Sequence, residues 1–173
     1  MAFLDEDNNI TGRLIVGGAA VVGGRFLGAN LLIPVLASAL AFFAVGKIRP
    51  AYANASRLAL AILFGHAAWM AVGAIVMPSM REQVMLDVVA AFCLFAVLLW
   101  RMSKPAMIAL IFIEATSLAI NVFLLVTSAE GAVIGALVAH ILIRSLIIFY
   151  ILQAWITGTS KAMSDEDLVD AFN

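Results

Sequence analysis

Five predominantly apolar segments, each bounded by charge or by Pro and Gly, dominate the chain: Phe26 to Gly46, Leu58 to Met77, Val84 to Trp100, Pro105 to Thr127 and Gly131 to Thr157. A bilayer core of about 30 Å is crossed by about 20 helical residues, within a range of about 17–25. All five fall in or near that range. Barrel strands would be shorter and alternating, and an open sheet cannot satisfy its backbone in lipid. The segments therefore predict an all-α integral membrane protein, a bundle of five transmembrane helices. Composition agrees: 65% of the 173 residues are apolar and only 10 are Lys or Arg and 11 Asp or Glu. Soluble domains run near 45–50% apolar and about 25% charged. A chain this short buries about two thirds of its surface and could not hide so much apolar area from water. A water-soluble enzyme is excluded.

The stretch Leu14 to Gly24 is too short to span alone and is closed by Arg25. It either re-enters or lies at the interface, or it lengthens the first helix. Were it to span, the bundle would have six helices. Ala20, Gly24 and Gly28 recur every fourth residue, the small-xxx-small spacing that lets helix backbones approach. A long first helix with a Gly-rich contact face is the favoured form, and Pro34 is expected to kink it. The whole chain, 1–173, reads as one polytopic membrane domain with an acidic N-terminal tail, 1–11, and a C-terminal tail, 158–173. In that tail Ser164 precedes Asp167 by three positions, a weak capping signal for a short helix through Phe172. A frayed tail is the alternative.

Basic residues in the connections set the orientation. The four connections carry, in order, three (Lys47, Arg49, Arg57), one (Arg81), two (Arg101, Lys104) and none. The alternation puts the first and third connections in the cytoplasm, the N-terminus outside and the C-terminus inside, in an energised membrane such as a bacterial inner membrane. A net charge of −1 offers nothing to nucleic acid. The single cysteine, Cys93, permits no intramolecular disulfide and no thiolate metal site. Acidic residues before the first apolar stretch do not read as a signal peptide. The sequence contains no phosphate-binding loop, HExxH or GxSxG motif and no mid-span lysine for a Schiff base, so no enzymatic activity and no bound cofactor is expected.

A charge at mid-membrane costs about 2.5–3.5 kcal/mol on insertion scales. Asn30, His66, Asp87, Glu114, Asn121, His140 and Arg144 interrupt the apolar segments. Asp87, three residues into its segment, can reach the headgroups and carries little weight on that ground. Glu114 and Arg144 carry the most. The last two segments are joined only by Ser128, Ala129 and Glu130, which makes them antiparallel neighbours. Glu114 and Arg144 are equidistant from Ala129 and therefore level, about 20 Å from the shared end at 1.5 Å per residue. An intramembrane ion pair is predicted. Glu114, Ser117 and Asn121 share one helix face, and His140 and Arg144 another, one turn apart.

Three readings of these residues stand. The pair cancels its own insertion cost and joins two helices. Alternatively Glu114, His140 and Arg144 form a proton or ion path, with Glu114 accepting and His140 relaying. Alternatively His66 and His140, on different helices at similar depth, bracket a b-type haem. Small residues suggest contact faces as well: Gly131, Gly135 and Ala139 on the last helix, and Ala61, Gly65 and Gly73 on the second. Trp100 and Trp155, with Tyr52 and Tyr150, suit the membrane interface, whereas Trp69 belongs to the core. The leading expectation is a non-enzymatic subunit or accessory protein that packs against other membrane subunits or copies of itself. A small proton- or ion-coupled transporter or channel is the second, and a membrane haem protein the third.

Overall fold

The computed structural model describes residues 31–76, 81–127 and 132–171, without side chains at 83, 132, 133 and 158–171. Those residues form five helices and no strand: α1 Leu32–Ile48, α2 Asn54–Val76, α3 Arg81–Trp100, α4 Lys104–Thr127 and α5 Ala132–Ala171. Three stretches are long and apolar enough to cross a membrane: α2, α4 and Ile134–Thr157 of α5. The apolar stretches of α1 and α3, Leu32–Ile48 and Val84–Trp100, are shorter.

The helix ends follow local chemistry. Arg49 precedes a proline, whose ring crowds the helical conformation of the residue before it, and its φ of −130° and ψ of 71° end α1. Pro105 stands in the first turn of α4, where a missing N–H costs nothing. Pro34 likewise falls in the first turn of α1 and is buried; the segment before it, against which a kink would be read, lies outside the described residues. Two expectations change. Helix α3 begins at Arg81 rather than Val84, which carries Asp87 almost a turn deeper into the helix. Helix α5 runs 40 residues without stopping at Gly158. One helical glycine costs about 1 kcal/mol, too little to break a helix already propagating on both sides. Ser164 is thus inside a helix rather than at the start of one.

Helix α2 is the centre of the bundle, packed on α1, α3 and α5, while α4 lies mainly along α5 and touches α3 lightly. Leu60 and Leu63 of α2, Leu98 of α3, Leu110 of α4, and Ile147 and Ile151 of α5 are fully buried together. Phe64 meets Phe92 and Phe95 at 5.7 and 5.1 Å between ring centroids, joining α2 to α3. The α1–α2 contact depends on Gly65: a Cβ there would run into the Ser38 hydroxyl and the Pro34 carbonyl. Gly73, expected on the same contact column, has nothing within 4 Å of its Cβ position among the described residues. Gly135 and Ala139 are buried on α5. The expectations for Leu14 to Gly24, for Ala20, Gly24 and Gly28, for Asn30 and for Gly131 lie outside the described residues.

Candidate functional site

Four helices bring ionisable side chains to the middle of the bundle. Helix α5 presents His140 and Arg144, one turn apart on one face. Arg144 is only 3% exposed, yet it reaches two carboxylates on two other helices. Its Nη1 donates to Oε2 of Glu114 on α4 at 2.8 Å, and its Nη2 donates to Oδ2 of Asp87 on α3 at 2.7 Å. The side chain of Glu114 is 3% exposed and that of Asp87 35%. The guanidinium therefore engages each acid through one oxygen and ties three helices at one point. Its Nε is buried without a hydrogen-bond partner.

The charge balance decides what this arrangement can do. Arginine stays protonated in proteins. One fixed positive charge faces two acids, so full ionisation leaves one excess negative charge. Neutrality requires one proton on the acid pair.

One turn away on α5, His140 meets His66 of α2. Nε2 of His66 and Nδ1 of His140 are 2.8 Å apart, so one of the two carries the proton and the other accepts it. His66 is fully buried and its Nδ1 has no partner. Trp69 of α2 stacks on His140 with centroids 4.6 Å apart and planes 23° apart, which fixes the imidazole orientation. Each ring can take a proton on one nitrogen and give one up from the other, the chemistry of a relay.

The structure brings Glu114 and Arg144 together, and His66 and His140 together. His140 bonds to neither Glu114 nor Arg144. Ser117 and Asn121 are half-buried on α4, and neither side chain hydrogen-bonds among the described residues. Sequence reasoning passed over Asp87, although a signal existed: a guanidinium has five donors, and one carboxylate leaves most of them unmet. A haem between the two histidines does not fit this arrangement, because nitrogens at hydrogen-bond distance leave no room for an iron and its macrocycle. Among the described residues no three His, Cys, Asp or Glu side chains gather as metal ligands. The chain matches no protein family, no curated protein and no solved structure.

Proposed function

We propose that all five helices cross the bilayer and that this small membrane protein moves protons through the Asp87–Arg144–Glu114 cluster, with the His66–His140 pair as relay. One observation carries the reading: a single guanidinium stands between two carboxylates from different helices. Cancelling a buried charge takes one partner. The second acid adds an excess negative charge that a bound proton cancels, and such a feature is costly to keep in a membrane protein unless it is used. A metal cation would be repelled by the guanidinium that already occupies both acids, so a proton is the ion that suits the site.

Asp87 is the more exposed acid of the proposed path. Asp87 lies six residues into α3, about 9 Å from the helix start at 1.5 Å per residue, and its side chain is partly exposed. Glu114 and Arg144 lie deeper. The basic residues of the α1–α2 and α3–α4 connections favour a cytoplasmic position for the opposite end of the bundle. Asp87 then faces the outside of a bacterial inner membrane, with the N-terminus outside and the C-terminus inside. A non-enzymatic subunit of a larger complex is the second reading. It is favoured by Asn121, a half-buried amide with no partner among the described residues that a neighbouring subunit's helix could satisfy.

Proteoliposomes with an internal pH dye test the first reading. Wild-type protein acidifies the lumen under an imposed potential, and Glu114→Gln or Asp87→Asn abolishes the response, because each leaves one carboxylate paired with Arg144 and no excess negative charge for a proton to cancel. Unchanged flux in both variants refutes it. A defined hetero-complex in mild detergent, with no flux from the isolated chain, favours the second.

A further inference from the structure

The end of the bundle formed by the α1–α2 and α3–α4 connections holds five cations, Lys47, Arg49, Arg57, Arg101 and Lys104, and no carboxylate among the described side chains. Two of the five are built into the fold. Arg49 donates from Nε to the Leu99 carbonyl and from Nη2 to the Trp100 carbonyl, both at 2.8 Å, and its guanidinium carbon lies 5.5 Å from the Trp100 ring centroid. The last carbonyls of α3 carry the negative end of the helix dipole, so a cation is stable there. Tyr52 adds a bond from its hydroxyl to the Leu98 carbonyl at 2.9 Å. Arg57 is held by the Pro50 carbonyl, and its buried Nε has no acceptor.

We propose that this end binds the headgroup of an anionic phospholipid, with Lys47, Arg101 and Lys104 around a platform made of Arg49 and Trp100. The three outer cations are exposed and make no ion pair among the described residues. Arg49 uses Nε and Nη2 on the chain and leaves Nη1 without a hydrogen bond among the described residues. A phosphate oxygen is the acceptor such a cluster lacks. The surroundings suit a lipid rather than a free anion. Trp100 is 79% exposed at the end of an apolar helix, and Ile48 and Phe43 near the end of α1 are exposed as well, apolar surface on which acyl chains can lie. Loop charges that served only to orient insertion would require no fixed Arg49–Trp100 platform.

The test uses the full chain in neutral detergent, titrated with phosphatidylglycerol, phosphatidylcholine or inorganic phosphate, and binding is read by native mass spectrometry. At about fivefold for each cation beside an anionic headgroup, three outer cations give the wild type about a hundredfold preference for phosphatidylglycerol over phosphatidylcholine. Lys47→Gln/Arg101→Gln/Lys104→Gln, all at exposed positions, brings the two lipids near parity while far-UV circular dichroism stays unchanged. Trp100→Ala weakens phosphatidylglycerol binding, with far-UV circular dichroism unchanged. No preference in the wild type, a preference retained by the triple variant, or equal binding of inorganic phosphate overturns the proposal.

Discussion

Replacing Arg144 by methionine removes the one cation from a site where its two partners differ sharply in burial. Breaking a buried ion pair by deleting one member costs about 3–5 kcal/mol, because the other charge is left uncompensated. An exposed pair is worth about 0–1 kcal/mol. Glu114, with 3% of its side chain exposed, belongs to the first class, and Asp87, at 35%, is much closer to the second. Nearly all of the loss in Arg144→Met should therefore come from stranding Glu114. Apolar replacements of similar size for a whole buried pair are often neutral. The double variant Arg144→Met/Glu114→Leu should accordingly return to within about 1 kcal/mol of wild type, since Asp87 can turn to solvent. Equilibrium unfolding in mixed micelles, followed by far-UV circular dichroism, measures both, and the interaction energy falls out of the cycle. A double variant as unstable as Arg144→Met would refute the reasoning, because the loss would then come from a packing defect and not from a stranded charge.

Three further outcomes follow from contacts elsewhere. Gly65→Ala drives a Cβ into the α1 backbone at Pro34 and Ser38 and should cost about 1–3 kcal/mol, whereas Gly73→Ala, with open space around it, should be neutral or slightly stabilising in the same unfolding assay. Tyr52→Phe removes the hydroxyl that meets the end of α3 and should lower stability by about 0.5–1.5 kcal/mol, with circular dichroism unchanged. His140→Phe leaves Nε2 of His66 buried and unpaired at a cost of about 1–3 kcal/mol, and His66→Phe/His140→Phe should recover part of it; Trp69 fluorescence reports the change because the indole stacks on His140.

Apolar run lengths and turn lengths in the sequence carry the ends of α2 to α4 and the start of α4 to within a residue, while α2 and α3 begin four and three residues earlier than their apolar runs. The same arithmetic puts Glu114 opposite Arg144, because a three-residue connection allows only one neighbour relation. Asp87 was obscured by a boundary: hydropathy starts α3 at Val84, but the helix includes the polar turn from Arg81, which hydropathy reads as loop. The His66–His140 contact depends on α2 packing beside α5, a pairing between elements far apart in the chain that no local pattern encodes. Depth alone placed the two histidines near each other, and depth cannot distinguish a shared ligand from a direct hydrogen bond. Gly158 misleads for a related reason. Glycine weakens a helix in isolation, but here helical residues continue on both sides of it.

On the proposed function, the buried charges serve proton movement and are dispensable for the fold. Asp87→Leu/Glu114→Leu/Arg144→Met, reconstituted at the same density as wild type and compared by the internal pH dye, tests it most directly. The account predicts a variant that unfolds within about 1 kcal/mol of wild type and gives no proton flux. A variant that carries protons at the wild-type rate, or one that cannot fold without its charges, contradicts it.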